Sequence, residues 1–363
     1  MRFSEFRLLR FLLRVAVFAL LALVVGELFF RTVVPAGNTA FRVHDPEFGI
    51  LIYDTTSMRE GFFTAGRFAQ QKAVWHVNNY GWRSAWNYLP PSPSRKPVIA
   101  LIGDSYIAGF HVSEQDHIAS VLQNGLKDSY DVYTFGEGGA PLSEFVWIAR
   151  YAAKHFDPDV YVIEVGDGDW RSSITNYRHD PRVHQVTFRD GQFVDAPFSY
   201  DDRPRGRLPK YSALIRYLTF NADLQIFDAL KRTRPKPPQA EQQKKASQEE
   251  LMQVIEQEAV FFVQRIASEH PGKQIVFMVD GQRDSIYAGS SAISQASVAR
   301  LQRVCADYST VHVLDLAPAQ AARFAADHRR FEFPFDDHWN EHGHQVIGQA
   351  LADFLQREHI LKP

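Results

Sequence analysis

One cysteine, Cys305, is all the chain carries in 363 residues, so no intrachain disulfide can staple the fold. Cys305 lies in an apolar-periodic run, Ala299 to Tyr308, that reads as a helix, where a small buried hydrophobe is expected rather than a catalytic thiol. No charge of one sign dominates. With 40 Lys and Arg against 42 Asp and Glu, the formal net charge is -2, so no overall field draws the chain to nucleic acid, and none is expected as a partner. Internal repeats and low-complexity arrays are missing, which sets solenoids and propellers aside. A His-Glu-x-x-His pattern is missing too. His338, His342 and His344 lie close to Asp336 in sequence, but the last helix reads as opening after His338, so they share no helical face and no metal is expected. No cofactor is expected either.

What is present begins with a long apolar run. Phe11 to Phe30 is almost wholly apolar, with Arg14 and Glu27 near its two ends, and it matches the roughly 20 residues that cross a hydrocarbon core. Arg2, Arg7, Arg10 and Arg14 precede or open the run, which predicts a cytoplasmic amino terminus and an exported remainder. Gly26-Glu27-Leu28-Phe29-Phe30 offers no small-x-small cleavage site, so an uncleaved anchor is expected over a signal peptide. The expected location is the inner (cytoplasmic) membrane, single pass, with the larger part periplasmic or extracellular.

Residues 1–32 thus read as cytoplasmic stub and transmembrane anchor, residues 33–95 as a β/coil preface, and residues 96–363 as the main domain. The preface carries the turn signals Asn78-Asn79-Tyr80-Gly81 and ends in the cluster Pro90-Pro91-Ser92-Pro93-Ser94. In the main domain, short apolar runs alternate with helical patterns, the mark of a parallel sheet flanked by helices. The predicted strands are Pro97 to Ile102, Asp131 to Phe135, Val160 to Val165, Gln274 to Val279 and Val311 to Leu316. An α/β fold is expected, a three-layer α/β/α domain with a five-stranded, mostly parallel sheet. Residues 170–249 exceed an ordinary βα connection and read as an insertion, either a lid or a scaffold elaboration. Within it, Tyr211 to Leu230 has helical apolar spacing, and Arg232 to Glu249 is rich in Pro, Lys and Gln.

Three short segments carry chemistry. Ile102-Gly103-Asp104-Ser105-Tyr106 ends the first strand, where α/β sheets place ligands, and a serine there can expose its hydroxyl while its N–H faces a developing oxyanion. Thr134-Phe135-Gly136-Glu137-Gly138-Gly139 follows the second strand in the same slot, with glycines that let backbone approach a carbonyl. Near the carboxyl end, Asp336-Asp337-His338-Trp339-Asn340 sets a histidine beside carboxylates ahead of a helix from about Gln345 to Arg357. A serine nucleophile needs that pairing, because the imidazole takes the hydroxyl proton and a carboxylate orients it.

Together these segments resemble the SGNH (GDSL-like) hydrolase superfamily over about Lys96 to Gln356. The resemblance implies Ser105 as nucleophile, Asp336 and His338 as acid and base, and an oxyanion hole from the N–H groups of Ser105 and Gly139, with Gly136 the next candidate. His44-Asp45-Pro46-Glu47-Phe48-Gly49 and Asn78 to Arg83 also resemble the prefaces of membrane-anchored members. Two departures stand out. The family's Gly-x-Asn-Asp block reads Gly166-Asp167-Gly168-Asp169, so the Asn donor is replaced by Gly168, or by Asp167 in a shifted alignment. Loss of one such donor typically costs roughly a hundred- to a thousandfold in rate. The residue three before His338 is Phe335 rather than Asp, and Asp336-Asp337-His338-Trp339 is similar to the Asp-x-His-Trp of alginate-type O-acetyltransferases, which selects Asp336 over Asp337. Asp104 and Asp169 complete the neighbouring candidates. The function implied is a serine esterase or O-acyltransferase acting on acyl esters of an exported or cell-surface glycan. Lipid esters are the alternative substrate, and a degenerate domain that binds glycan or scaffolds polysaccharide assembly is the alternative function.

Overall fold

Large apolar side chains at successive positions of each core strand demand cover on both faces, and the chain supplies it with helices. The computed structural model describes residues 2–38, 40–126, 129–199, 211–222, 248–334 and 336–361. Its internal packing divides the chain into two units. The larger comprises residues 40–60, 74–202 and 239–363, and the smaller residues 1–39, 61–73 and 203–238.

The larger unit is built on β1 (Val98–Gly103), β2 (Asp131–Gly136), β3 (Val160–Glu164), β4 (Gln274–Val279) and β5 (Val311–Asp315). They form one sheet in the order β5-β4-β3-β1-β2, every pair parallel. The five strands expected from sequence are these, with ends moved by at most one residue. Strand periodicity splits β1 between two cores. Val98, Ala100 and Ile102 join Tyr133, Phe135, Tyr161, Ile163 and Phe277 under helices Leu142–Phe156, Gln248–Glu269 and Ala296–Cys305. Ile99 and Leu101 join Val132, Val162 and Met278 under Ile118–Gly125 and Glu341–Arg357. Leu101 is fully buried, and cutting such a side chain to alanine costs about 2–5 kcal/mol. The result is the three-layer α/β/α arrangement.

The chain passes from β1 to β2 on one side and then crosses over β1 to place β3 on the other. That reversal opens a crevice at the carboxyl ends of β1 and β3, where such sheets bind ligands. Gly136, the last residue of β2, lies against the turn after β1 so closely that an added Cβ would sit 2.1 Å from the Ala108 nitrogen. The later preface packs into this unit. Asn78 closes its turn by accepting the N–H groups of Tyr80 and Trp82 at 2.9 and 3.0 Å, and Trp82 is buried against Phe135 and Tyr151. Cys305 is buried, and burial pushes its thiol up to about 12, which makes it inert.

The smaller unit carries a helix over Arg2–Thr32. Its stretch Phe6–Thr32, 27 residues of mean hydropathy 2.5, is long and apolar enough to cross a membrane. Near its carboxyl end, the Glu27 carboxylate accepts hydrogen bonds from Arg31 Nε at 2.7 Å, Ser212 Oγ at 2.8 Å, Ala213 N at 2.9 Å and Leu214 N at 3.0 Å. Phe30 stacks on Tyr217 with ring centres 3.8 Å apart. Of the helical spacing expected over Tyr211 to Leu230, residues 211–222 are described: one helical turn, Ala213–Arg216, continues as a π-type turn over Tyr217–Asn221. Residues 223–230, and the Pro-, Lys- and Gln-rich stretch up to residue 247, lie outside the described residues.

Candidate active site

Gly103 ends β1 and Ser105 opens a short helix, Ser105–Ala108. The carboxylate of Asp104 caps that helix by accepting the Tyr106 N–H at 2.8 Å, which fixes the turn and leaves Ser105 in the crevice over the sheet. Burial raises the Asp104 carboxyl above its ordinary value, against the pull of that N–H. Asp104 is therefore a structural cap beside the hydroxyl.

His338 arrives from the far end of the chain on a two-stranded ribbon, Glu332–Phe333 paired antiparallel with Asp336–Trp339. One carboxylate oxygen of Asp336 accepts the His338 backbone N–H at 2.8 Å and also takes Nδ1 of the ring. On the other side of the imidazole, Nε2 lies 2.7 Å from Ser105 Oγ. Burial pushes the Asp336 carboxyl up, but the two hydrogen bonds from His338 outweigh it and hold the group below its ordinary value. An ionised Asp336 can only accept, so Nδ1 carries the proton and Nε2 offers its lone pair to the serine hydroxyl.

Two further contacts hold this ribbon. Arg283 donates from Nη1 to the Asp337 carbonyl at 2.7 Å and from Nη2 to Tyr106 Oη at 2.9 Å, and Tyr106 Oη donates to the same carbonyl at 3.1 Å. Trp339, fully buried, donates its indole N–H to Asp280 at 3.0 Å. Asp337 thus contributes its carbonyl to the ribbon, and its carboxylate makes no bond to His338. Asn340 then caps the last helix by accepting the Gly343 N–H at 2.8 Å, so that helix begins at Glu341 rather than near Gln345. His342 and His344 turn inward on its first turn. His344 Nδ1 accepts the Ile118 N–H at 3.3 Å, and His342 Nε2 lies 3.3 Å from Asp327.

The loop candidates separate. Gly139 has φ +82° and open space where a Cβ would stand, whereas Gly136 is packed beneath the serine helix. Gly138 lies between them, its Cβ direction 3.7 Å from Ser105 Cβ, and its carbonyl accepts Arg42 Nη1 at 3.0 Å. Gly168 is in the first turn of helix Asp167–Ser173, again beside open space. Asp167 is turned away to Ser297, accepting its N–H at 3.1 Å and its hydroxyl. Asp169 accepts the Gly166 N–H at 2.8 Å; burial, with Asp104 adding, pushes it up to about 8. It is a neutral structural acid at pH 7.

Among solved structures the chain is similar to a carbohydrate esterase family 2 enzyme with a carbohydrate-binding domain from Corynascus thermopiles (Myceliophthora fergusii), at 13% identity and TM-score 0.38 over 76% of this chain and 70% of that one. It is similar to an acetyl xylan esterase from the rumen bacterium Butyrivibrio proteoclasticus at 12% identity and TM-score 0.37, over 74% of this chain and 65% of that one. A lipase/acylhydrolase from Enterococcus faecalis matches at 13% identity and TM-score 0.38, over 74% of this chain and 98% of that one. No family model and no curated protein matches. Scores and identities this low carry no functional argument, which leaves the side-chain geometry to carry it.

Sequence reasoning missed His111. Its ring stacks on His338 with centres 3.8 Å apart at 15°, and its Nε2 lies 3.6 Å from the second oxygen of Asp336. Burial, with His338 adding, lowers it to about 4, so it is neutral at pH 7. His111, Asp336 and His338 bring ligand atoms within 4.8 Å of one another, a set that could hold a metal ion. No spacing rule links residue 111 to residue 338; only the turn after the serine helix brings them together. Tyr106 and Arg283 escaped for the same reason.

Proposed function

We propose that this chain is a membrane-anchored serine acyl-transfer enzyme of the SGNH type, with Ser105 as nucleophile. The observation that carries the reading is the hydrogen-bonded series Ser105 Oγ, His338, Asp336, joined from segments 233 residues apart. Ser105 Oγ attacks the acyl carbon while His338 Nε2 takes its proton, and Asp336 stabilises the imidazolium. The N–H groups of Ser105, Gly139 and Gly168 hold the oxyanion, the last in place of the missing Asn side chain. His338 then returns the proton to the leaving alkoxide, and acyl-Ser105 passes its acyl group to water or to a sugar hydroxyl.

An ester, most simply an acetyl ester, of an exported or cell-surface glycan is the substrate class. The apolar helix supports this, because a tethered domain outside the cytoplasm meets such polymers at the periplasmic or extracellular face. Lipid esters are the alternative there. The Gly166–Asp169 block, with no side-chain amide, favours a second reading in which the domain binds glycan without turnover.

The test is turnover of 4-nitrophenyl acetate by the detergent-solubilised protein and by Ser105→Ala, with and without an oligosaccharide acceptor. Turnover lost in Ser105→Ala supports acyl transfer, and acceptor-dependent acetylated sugar identifies a transferase. A folded wild-type protein that turns over neither leaves the binding reading.

A further inference from the structure

Beside the Ser105 and His338 pair, a cleft of about 340 Å³ opens over the carboxyl ends of β3 and β4. Tyr106 and Asp337, the chain neighbours of Ser105 and His338, form its near wall, and Glu164 and Asp280 form its floor. The size sits at the low end of ligand pockets, which run about 300–1,000 Å³, enough for one or two small rings rather than a long segment.

The lining determines what fits. Among the described residues no aliphatic side chain lines the cleft, and Tyr106 is its one aromatic. An acyl chain would leave carboxylates and guanidinium groups desolvated against it, which is unfavourable. Its far side carries Asp284, fully exposed, with Arg330 and Gln295. Two cations, Arg283 and Arg330, face five acids, and both cations already pair within the cleft. Arg283 is 3.4 Å from Asp280, and Arg330 Nε donates to Glu332 at 2.5 Å. An incoming anion therefore finds no unspent positive charge, while hydroxyl or amine donors find acceptors at Asp284 and Asp337.

We propose that this cleft is the saccharide subsite, taking a sugar ring that is uncharged or carries an amine and rejecting uronate-type sugars and acyl chains. The inference rests on the acyl-transfer reading for its role, but the binding step is measurable without turnover. Ser105→Ala protein is titrated calorimetrically with xylotetraose, with tetraglucosamine and with tetragalacturonate. Xylotetraose and tetraglucosamine bind and tetragalacturonate does not. Asp284→Trp, which places a ring over the mouth, abolishes xylotetraose binding, and Asp284→Lys weakens tetraglucosamine about tenfold or more, the order of one charge-assisted hydrogen bond. Binding of tetragalacturonate as tight as that of the others, no binding of any of the three, or xylotetraose binding untouched by Asp284→Trp overturns the assignment. Loss of aryl acetate turnover in wild type, with sugar binding intact, overturns only the catalytic reading.

Discussion

Replacing Asp336 by asparagine isolates what the carboxylate charge contributes. The same oxygen of Asp336 takes both the His338 backbone N–H, at 2.8 Å, and the ring Nδ1. The backbone bond holds the asparagine carbonyl oxygen in that position, so the variant keeps the tautomer and the ring orientation and loses only the charge. A unit charge pair about 4 Å apart at an effective dielectric constant of about 20 is worth about 4 kcal/mol. Since roughly 1.4 kcal/mol is tenfold in rate, kcat for 4-nitrophenyl acetate falls about a thousandfold. KM stays within about threefold, because the interaction forms with the imidazolium of the transition state and not with bound substrate. A carboxamide that flips to face the ring with its NH2 would impose the other tautomer and extend the loss to about ten-thousandfold. A fall of less than about tenfold in folded protein refutes the assignment of Asp336 as the partner of the base.

Other consequences are separable. His111→Ala removes the ring stacked at 3.8 Å on His338 and lowers kcat about tenfold, while His111→Phe recovers most of it; equal losses in the two variants would show that stacking is not the contribution. Glu137, buried beside the Gly138–Gly139 turn, is pushed by burial from 4.5 up to about 8. Between those values the unfolded chain loses the proton and the native state keeps it, so stability falls as pH rises from about 4.5 to 8 and levels off above. Thermal midpoints of wild type and Glu137→Gln across that window should converge at low pH and separate at high pH in favour of Gln, and parallel curves would contradict the shift. Glu27→Ala removes the acceptor for Ser212, Ala213 and Leu214, so in nanodiscs protease cleavage near Ser212 should quicken; an unchanged rate would mean those bonds do not hold the segment.

Much of this architecture is readable in the chain because its signals are local. The β1 run Val98 to Ile102 is continuously apolar, with Val98, Ile99 and Ile102 β-branched, as suits a strand buried on both faces, and Gly103-Asp104-Ser105 marks its end. The last helix starts at Glu341, ahead of the expected start near Gln345, because the Asn340 side chain accepts the Gly343 N–H and opens the helix there. Asp167, the shifted-alignment candidate for the Asn donor, is turned away by Ser297, a partner that lies 130 residues on. His111 and Arg283 belong to the same class of residue, since each acts on the Asp336–His338 ribbon through contacts that no periodicity encodes.

The most direct measurement of the central claim is covalent labelling of the folded, solubilised protein with a fluorophosphonate, read by intact-mass and peptide mass spectrometry. The account predicts a single adduct on Ser105, absent in Ser105→Ala and formed far more slowly in His338→Ala. No adduct on properly folded protein, or an adduct on another residue that persists in Ser105→Ala, would contradict it.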